Sequence, residues 1–479
     1  MLAAFTKRYP RVVSSSPGTT RLVSLVAILV IALAILGAMR ALERGPFAVE
    51  ETASPTVIFV LMDTLRSDRT SLCGYEHRTT PTLEELVELG ASYACNSHSP
   101  STWTLPSHAS FFTGRNLAEH RAGAGGGSQN MVWGSVTPLD DRWPTLAEDM
   151  SARGYQTLFL SGNPVVTDRM GLTRGFDHAV WAESYPEMQD HRLAARLKQM
   201  LRDSELNLEQ PLFAFINIAD PHSPWTGIPE SMGFLPARAP LSVNPGRHRY
   251  ETNEMDDAES ARWLSHLSDV YEFAILRADR SLAAVLELLR TEGWLDDGYR
   301  LVITSDHGEY LGEHQMVEHG RPYFYEPVTR VPLVYLSTAG QVDLPKDAPS
   351  IVAHSLVRDG VLPEPIPPKW ASAFRKAGDP PNPIPPCWYS TAALWTGESK
   401  LVASRGEVMR FDLISDPAEE RPAPAGDHLD AAKLLEHCRA MDRAHASRPA
   451  GDEELTAELT AQLKALGYLR DDETNGTAE

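Results

Sequence analysis

The chain has 479 residues, of which 42% are hydrophobic and 8% aromatic, and this composition excludes an intrinsically disordered protein. Its 44 Lys and Arg residues against 64 Asp and Glu residues give a formal net charge of -20. A nucleic-acid-binding protein needs a basic face for the phosphate backbone, so we expect no nucleic-acid partner. The length suits one large α/β domain with a smaller one beside it.

The N-terminal region contains a long apolar run, Leu22–Met39, without a charged residue. At 1.5 Å per residue, a helix of this length nearly spans the roughly 30 Å core of a bilayer. Four cations precede the run: Lys7, Arg8, Arg11 and Arg21. By the positive-inside rule, this pattern predicts a single-pass signal anchor in the cell membrane, with residues 1–21 in the cytoplasm and everything after Arg40 outside. A cleaved signal peptide and a buried soluble helix are the alternatives.

Five later segments are dense in apolar residues, which is typical of strands buried on both faces of a sheet. They end at Asp63, Ser161, Asp220, Asp306 and Leu336. Helical patterns lie between them, from Thr80–Pro81 to Gly90 and from Asp269 to Leu289. Strands that alternate with helices predict a mostly parallel sheet with helices on both faces.

Composition also predicts the domain boundaries after the apolar run. A linker covers residues 40–54, and the main α/β domain covers residues 55–340. Residues 341–386 are rich in proline and contain three pairs of adjacent prolines, which indicates a linker or surface excursion. Residues 387–479 are predicted to form a smaller α+β subdomain. Its tail carries a helical stripe at Leu455, Leu459, Leu463 and Leu466.

The cysteines do not show the paired spacing of a zinc site; they are Cys73, Cys95, Cys387 and Cys438. A disulfide between Cys73 and Cys95 and buried free thiols are both compatible with the sequence. Cysteine usage therefore leaves the redox compartment open.

Three of the predicted strands end in a carboxylate, at Asp63, Asp220 and Asp306. One aspartate after a strand is usually a turn-former or a helix cap. In an open α/β sheet, however, ligands bind beyond the carboxyl ends of the strands, so three such side chains are expected to converge. Asp306 and His307, with Asp63, offer oxygen and imidazole donors for a divalent cation such as Ca²⁺, Mn²⁺, Mg²⁺ or Zn²⁺. The next polar residues are interpreted as supports for the ligands or as solvated groups: Glu309, Glu313 and His314.

The segment SPSTWTLPSHASFFTGR holds a candidate nucleophile, Thr104. Pro106 suits the first position of a helix and Gly114 the position after its end, so Thr104 is predicted just before the helix N-terminus. The free N–H groups and the positive dipole end there favour a bound oxyanion. A threonine hydroxyl reacts only when a base or a metal lowers its pKa, and the expected cation would do this. On its own, Thr104 would be interpreted as a capping residue.

Several motifs in order carry a resemblance to a known family. They are MDTLRSD, TTPTLEEL, TWTLPSHASFFTG, IADPHSPW, TSDHGEYLGEH and HGRPYFYEPVTRVPLV, with RFDLISDPAEE towards the C-terminus. From about Thr56 to Leu336, the chain resembles the sulfatase family of the alkaline phosphatase superfamily. The resemblance implies an α/β fold of the alkaline-phosphatase type, in which a central, mostly parallel sheet is flanked by helices and followed by a smaller C-terminal α+β subdomain.

The resemblance also implies roles for individual residues. The expected metal ligands are Asp63, Thr104, Asp306 and His307. Thr104 stands at the position of the family's catalytic residue. His222 and His319 stand where family members bind the oxyanion or protonate the leaving group. The expected substrate-binding residues are His108, Asn163 and Asp220.

The departures from the family pattern concern the chemistry. Sulfatases proper carry Cys or Ser at the Thr104 position, converted to formylglycine, and Arg at the His108 position. Asn163 stands in the region of a usual Lys/His pair, Thr64 replaces an aspartate, and His319 replaces a Lys. A formylglycine hydrate expels sulfate by collapsing to the aldehyde, and a Thr ester lacks this route. The threonine therefore favours phosphate mono- or diesters over sulfate esters.

The expected mechanism is attack by Thr104 on phosphorus or sulfur, which gives a covalent Thr ester that water hydrolyses. His319 protonates the leaving oxygen and His222 holds a non-bridging oxygen. One cation is favoured, with a second held by Asp220, His222 and His319 as the alternative. The expected substrate is a sulfate or phosphate ester, on a glycan or a lipid head group. The other functions considered are a phosphoglycerol-type transferase acting on envelope glycans or lipids and a catalytically inactive binding protein at the cell surface.

Overall fold

The computed structural model describes most of the chain after the predicted linker: residues 55–124, 135–183, 192–229, 235–241, 243–320, 322–374, 387, 390–446 and 453–454. The predicted signal anchor at 22–39, the linker at 40–54 and the C-terminal helical stripe lie outside these residues. Within the described part of the chain, no helix is long and apolar enough to cross a membrane.

The described strands form one large sheet and three smaller ones. In chain order they are β1 (Thr56–Met62), β2 (Ser92–His98), β3 (Gly123–Ala124), β4 (Ser135–Thr137), β5 (Gln156–Ser161), β6 (His178–Trp181), β7 (Leu212–Ile218), β8 (Tyr299–Thr304), β9 (Tyr310–Leu311), β10 (Val317–Glu318), β11 (Arg330–Ser337), β12 (Lys369–Phe374), β13 (Ser390–Thr396), β14 (Ser399–Ser404), β15 (Glu407–Asp412), β16 (Ala423–Pro424) and β17 (Glu453–Glu454). The large sheet has seven strands in the order β2-β11-β8-β1-β7-β5-β6.

The large sheet is mostly parallel, as predicted. β1 lies between β7 and β8, and β5 pairs with β7 and β6, all in parallel. β11 runs antiparallel to β8 and β2. The sequence does not predict β2 (SYACNSH) or β6 (HAVW), because neither is an apolar run. Both are edge strands, which are partly exposed and therefore do not need the apolar side chains of a central strand.

Helices cover both faces of this sheet. In chain order the α-helices are α1 (Pro81–Glu88), α2 (Thr104–Thr113), α3 (Leu117–His120), α4 (Leu146–Ala152), α5 (Leu193–Asp203), α6 (Val243–Glu251), α7 (Asp257–Thr291), α8 (Glu326–Thr329), α9 (Ala353–Asp359) and α10 (Leu429–Ala446). Val57 and Phe59 of β1 pack into one apolar core with α2, α4 and α9, whereas Ile58 and Val60 pack into another with α1, α5 and α7. Successive side chains of a strand point to opposite faces, so a strand covered on both sides needs a continuous apolar run.

The two helices predicted between the strands are present. α1 begins at Pro81 and is followed by Gly90, whose φ of +105° ends the helix as predicted. α7 has 35 residues and begins well before the predicted Asp269. Its early turns lack a continuous buried stripe, and their N-terminus is stabilised by Asp256, whose side chain accepts a hydrogen bond from the Glu259 N–H.

The C-terminal region contains a second sheet, antiparallel and five-stranded, in the order β12-β13-β14-β15-β16. α10 packs against it. The stretch 341–386, interpreted from sequence as a linker or surface excursion, contributes both α9 and β12. Ala353, Leu356 and Val357 of α9 are fully buried in the core of the large sheet, so this stretch is not a simple linker. One proline pair directly precedes β12, where it marks the start of an element.

All four cysteines form disulfides, a point that the sequence left open. Cys73 bonds to Cys95, with the Cα atoms 5.6 Å apart, and Cys387 bonds to Cys438, with the Cα atoms 4.9 Å apart. The first bond ties the segment after β1 to the edge strand β2. The second ties the residues before β13 to α10.

Candidate active site

The carboxyl ends of three adjacent strands, β7, β1 and β8, carry the three predicted aspartates. Asp63 follows β1 directly, and Asp220 and Asp306 each lie two residues after the end of their strand. Backbone contacts hold these loops together. The Asp63 N–H donates to the Ile218 carbonyl at 2.9 Å, and the Thr64 N–H donates to Asp306 Oδ1 at 3.3 Å. The sheet register thus places residues from both halves of the main domain at one edge.

Asp63, Asp306 and His307 form a group that could hold a metal ion. Their ligand atoms lie within 4.8 Å of one another, and all three side chains are fully buried. Asp63 Oδ1 and Asp306 Oδ2 have no hydrogen-bond partner among the described residues. The His307 Nδ1–H donates to the Gly308 carbonyl at 2.9 Å, so Nε2 presents a lone pair on the other edge of the ring. Two oxygens and one imidazole nitrogen fit a divalent cation.

The charges within this group are unfavourable without a cation. Burial raises the pKa of Asp63 well above its usual value, and the negative charge of Asp306 raises it further. Hydrogen bonds from Asn163 and Asn217 lower that pKa in part; the Asn163 Nδ2–H donates to Asp63 Oδ2 at 2.7 Å. A divalent cation would neutralise both carboxylates, so this arrangement is one that metal binding stabilises.

Thr104 lies beside this group, at the start of α2. Its side chain is fully buried, and Oγ1 is 3.4 Å from His307 Nε2. The helix begins at Thr104 and not at Pro106, so the hydroxyl belongs to the first turn itself. Gly114, with a φ of +66°, ends the helix as predicted. The hydroxyl and the positive end of the helix dipole therefore share one site.

Two further histidines complete the cluster. The His319 ring centroid lies 4.3 Å from that of His307 and 4.9 Å from that of His222. The His222 Nδ1–H donates to the Ser223 carbonyl at 2.6 Å, and His319 Nδ1 lies 3.0 Å from Glu309 Oε1. Burial lowers the pKa of His222 to about 4; burial and the neighbouring imidazoles lower the pKa of His319 well below its usual value. In both rings Nδ1 lies within hydrogen-bond distance of an oxygen atom. Nε2 is therefore the ring nitrogen that can exchange a proton with a substrate.

These residues lie within a segment that matches a known family. The model of the sulfatase family matches residues 55–356, which is more than half of the chain. The chain belongs to the sulfatase family. A curated relative, named as the uncharacterized sulfatase YidJ of Escherichia coli (strain K12), is 25% identical over 170 residues. That match covers 32% of this chain and spans only 33% of the relative's length.

Solved structures show that other proteins share this sulfatase-family fold. The phosphonate monoester hydrolase of Agrobacterium radiobacter matches with a TM-score of 0.56 at 18% identity, over 82% of this chain and 95% of that one. SpPMH, a phosphonate monoester hydrolase from Silicibacter pomeroyi, matches with a TM-score of 0.54 at 20% identity, over 84% and 97%. BT4656, solved with its substrate D-glucosamine-2-N,6-O-disulfate, matches with a TM-score of 0.58 at 15% identity, over 84% and 100%. The predicted fold of the alkaline phosphatase superfamily is confirmed.

Two residues that the sequence assigns to substrate binding lie beside the candidate metal ligands of this sulfatase-family chain. His108 Nδ1 lies 2.9 Å from the Thr104 carbonyl oxygen and 3.6 Å from Asp306 Oδ2. Asn163 donates to Asp63, and its own side-chain oxygen accepts from the Val165 N–H at 2.8 Å. Both side chains are fully buried. Asn163 thus donates to the Asp63 carboxylate, and His108 lies beside the Asp306 carboxylate.

Asp220, expected to bind substrate or a second metal, has a different partner. Its Oδ1 accepts from Arg277 Nη2 of α7 at 2.5 Å. Arg277 also donates to the Thr226 hydroxyl. In the described part of the chain, the group of Asp63, Asp306 and His307 is the one cluster of three or more potential ligands, and Asp220 does not belong to it.

Several residues that position the sulfatase-family site were not predicted. Asn217 lies in β7, and its Nδ2 is 3.4 Å from His108 Nε2. A lone polar residue inside the apolar run LFAFINI was the signal that could have identified it. Glu318 accepts from Ser223 Oγ at 3.1 Å and from the Arg247 guanidinium, and so supports the loop that follows β7. No sequence signal pairs Glu318 with Arg247, which comes from α6.

Proposed function

We propose that this sulfatase-family protein is a metal-dependent hydrolase of phosphate mono- or diesters, with Thr104 as its nucleophile. The observation that carries the proposal is the 3.4 Å separation of Thr104 Oγ1 from His307 Nε2, beside the group that His307 forms with Asp63 and Asp306. A hydroxyl next to a divalent cation loses its proton far more readily than in water and becomes a nucleophile.

The identity of the nucleophile supports phosphate over sulfate. Oxidation at the Cβ of Thr104 cannot give an aldehyde, because that carbon carries a methyl group. A covalent Thr ester must therefore be cleaved by water attacking the central atom, and enzymes commonly transfer phosphoryl groups by such direct displacement. Two proteins of the same fold are named phosphonate monoester hydrolases, which supports phosphorus as the reacting centre.

Each member of the cluster has a role in the proposed reaction. The two aspartates and His307 would hold the cation, which when bound neutralises charge on the phosphoryl oxygens. Thr104 Oγ1 bonds to phosphorus as the bond from phosphorus to the leaving oxygen breaks. His319 gives a proton to that oxygen. Water then bonds to phosphorus, the bond to Thr104 breaks, and the product phosphate leaves.

His222 holds a non-bridging oxygen of the substrate in this proposal. Its Nδ1–H already donates to the Ser223 carbonyl, so Nε2 donates only when it also carries a proton. Burial holds the pKa of His222 at about 4 in the free chain. A phosphoryl anion beside the ring favours the imidazolium form and raises that pKa. Substrate binding therefore turns His222 into a hydrogen-bond donor.

The main domain is proposed to lie outside the cytoplasm, tethered by the apolar run Leu22–Met39. The cations that precede the run support this orientation. The two disulfides also support it, because disulfides persist in oxidising compartments. Protease added to spheroplasts should digest the main domain. Protection until the cells are lysed would exclude this location.

The reaction is tested with the full chain purified in detergent, stripped of metal by a chelator and reloaded with Mg²⁺, Mn²⁺, Ca²⁺ or Zn²⁺. Turnover is measured on an aryl sulfate, a phosphate monoester and a phosphodiester. We expect no turnover after chelation and, with one of the metals, a higher kcat/KM for a phosphate ester than for the sulfate. A preference for the sulfate overturns the phosphate assignment, and turnover that survives chelation overturns the metal dependence.

A further inference from the structure

Glu309 lies on the loop that carries two of the candidate metal ligands, Asp306 and His307. Its side chain contacts His319, the proposed general acid. Its carboxylate is fully buried, and Oε1 lies 3.0 Å from His319 Nδ1. An ionised carboxylate only accepts hydrogen bonds, so with Glu309 in this form Nδ1 carries the proton in the contact. Nε2 is then on the edge of the ring turned away from Glu309.

The backbone around Glu309 is held from three sides, which fixes the position of its carboxylate. The Gly308 N–H donates to the Val328 carbonyl at 2.7 Å, and the Glu309 N–H donates to the Pro327 carbonyl at 3.1 Å. Arg66 Nη1 donates to the Glu309 carbonyl at 2.9 Å. A Cβ on Gly308 would lie 2.1 Å from the Pro327 carbonyl oxygen, so only glycine allows this approach.

Glu309 also differs from Glu326, a partly buried carboxylate whose two oxygens both have partners. Glu326 accepts on both of its oxygens, from His98 Nε2 at 3.1 Å and from Trp395 Nε1 at 2.8 Å. Glu309 Oε2, in contrast, is buried without a hydrogen-bond partner among the described residues. An unsatisfied buried oxygen costs free energy, so this arrangement does not maximise stability. Among the described residues, His319 is the hydrogen-bond partner of the Glu309 carboxylate.

We propose that Glu309 is a positioning residue that holds the His319 ring with Nε2 directed at the leaving oxygen. The inference rests on the function proposed above. With Nδ1–H held by Glu309, a proton on Nε2 is directed at the leaving oxygen, and the carboxylate fixes the ring orientation as carboxylates do beside catalytic histidines.

The protons balance over the two steps. Thr104 reacts as the alkoxide, its proton having gone to solvent, and bonds to phosphorus as the bond to the leaving oxygen breaks. The Nε2–H bond of His319 breaks, and the proton passes to that oxygen. The imidazole stays bound to Glu309 through Nδ1–H. In the second step water gives a proton to Nε2 and its oxygen to phosphorus, which frees Thr104 as the alkoxide.

The test uses leaving groups of graded basicity, because a general acid matters most when the departing oxygen is a strong base. Phosphate esters of 4-nitrophenol, phenol and a simple alcohol form the series, assayed with the full chain. For Glu309→Gln we expect kcat to fall about 10- to 100-fold with the alkyl ester and less than about threefold with the nitrophenyl ester, with KM nearly constant. An equal loss for all three esters overturns the inference.

Glu313→Gln is the matched control. Glu313 is a carboxylate of the same segment that accepts from Arg66 at 2.8 Å and makes no hydrogen bond to His319. Any loss of rate in this variant should be the same for all esters. Thermal unfolding and calorimetric titration with Mn²⁺ check that Glu309→Gln keeps the fold and the cation affinity of the wild type.

A second measurement does not depend on turnover. Nitrogen-15 NMR of histidine-labelled protein reports which ring nitrogen of His319 is protonated, with the signals assigned by their loss in His319→Ala. We expect a protonated Nδ1 in the wild type and a mixture of tautomers in Glu309→Ala. An unchanged tautomer in Glu309→Ala contradicts the inference whatever the substrate is.

Failure of the proposed function gives a different pattern from failure of this inference. If His319→Ala lowers all rates equally, the general-acid role of His319 fails, and the role of Glu309 fails with it. If His319→Ala shows the dependence on leaving group and Glu309→Gln does not, only the inference about Glu309 fails. In the His319→Ala background, Glu309→Gln should add no further loss, because both changes remove one interaction.

Discussion

In the proposed reaction a single side chain, Thr104, determines which esters the chain can cleave. Its hydroxyl is buried beside His307 at the N-terminus of α2, with a histidine cluster on the same side. Serine would keep this hydroxyl and alanine would remove it, so the residue can be tested with small changes of volume. The other members of the site act on what Thr104 attacks or releases.

Thr104→Ala should lower kcat for the preferred ester by at least about 1000-fold, because the variant has no hydroxyl to form the covalent ester. Thr104→Ser should keep measurable turnover. Steady-state assays and acid-quench trapping of a radiolabelled phosphoryl group measure the two effects. Thr113→Ala is the control, since it removes a hydroxyl from the other end of the same helix. A labelled protein trapped with Thr104→Ala would remove the claim for this nucleophile.

Asn163 gives a test of the cation site that needs no substrate. Its Nδ2–H donates to Asp63 Oδ2 at 2.7 Å and orients a carboxylate expected to bind the metal. Asn163→Ala should weaken Mn²⁺ binding about 10- to 100-fold, as loss of such supporting contacts usually does. Calorimetric titration of the metal-stripped protein measures the affinity. The exposed Asn207 is the control position, and equal affinities for Asn163→Ala and Asn207→Ala would contradict the assignment.

At the scale of secondary structure, one helix is capped by a residue of another. Asp279 of α7 is fully buried and accepts from the N–H groups of Thr82 and Leu83 at the start of α1, at 3.0 Å and 3.4 Å. The Thr82 hydroxyl donates to the same carboxylate at 2.7 Å. Burial raises the pKa of Asp279 to about 6, although these hydrogen bonds oppose the shift.

This cap predicts a pH dependence of stability. Between the usual aspartate pKa of 3.8 and about 6, Asp279 is protonated in the folded chain and ionised in the unfolded chain. The stability that this proton contributes is present at low pH and is lost as the pH rises through 6. From about pH 4 to about pH 7, the free energy of unfolding of the wild type should fall by about 2 kcal/mol relative to Asp279→Asn. Urea unfolding at both pH values measures it. The exposed acid Asp297, changed to Asn, should show no such difference.

The C-terminal sheet meets the main domain through a buried charge cluster. Lys400 of β14 is fully buried, and its Nζ donates to the Phe324 carbonyl at 2.6 Å. The ammonium group pairs with Glu419 and lies 3.5 Å from Glu326 Oε1. Glu419 in turn accepts from the Glu326 N–H at 2.7 Å. One lysine therefore joins the sheet to the residues that precede β11.

Lys400→Met should lower the free energy of unfolding by about 3 to 5 kcal/mol, because it leaves the buried carboxylate of Glu419 and the partly buried one of Glu326 without their cation. Adding Glu419→Gln should recover part of the loss. Lys433, which pairs with Asp430 at an exposed position of α10, is the control, and its change to Met should cost less than about 1 kcal/mol. Urea unfolding compares the variants, and similar losses at both lysines would show that the cluster does not hold the sheet.

For the molecule as a whole, the features that could be predicted from the sequence are those that short sequence patterns determine. Continuous apolar runs identified β1, β7 and β8, and parallel strands share an edge, so Asp63, Asp306 and His307 were expected to meet. The order of the motifs identified the family, and the Pro and Gly positions located α2 to within two residues.

The features that could not be predicted depend on contacts between residues that are far apart in the sequence. The position of Asp220 after a strand could be predicted, whereas its contact with Arg277, from the middle of α7, could not. The polar strand β2 forms because β11 offers it an edge, which no local pattern reveals. The pairing of Glu309 with His319 depends on how the loop between them folds back, so the sequence alone identified Glu309 only as a support for the ligands or a solvated group.

The contact between Thr64 and Asp306 joins positions 242 residues apart, and this separation has a consequence for biosynthesis. β1 is made first, but its neighbour β7 is complete only after residue 218 and its other neighbour β8 only after residue 304. Such distant pairings form late in folding. A chain that ends before Asp306 carries only Asp63 of the three candidate metal ligands, so the proposed cation site can be loaded only after β8 has been made.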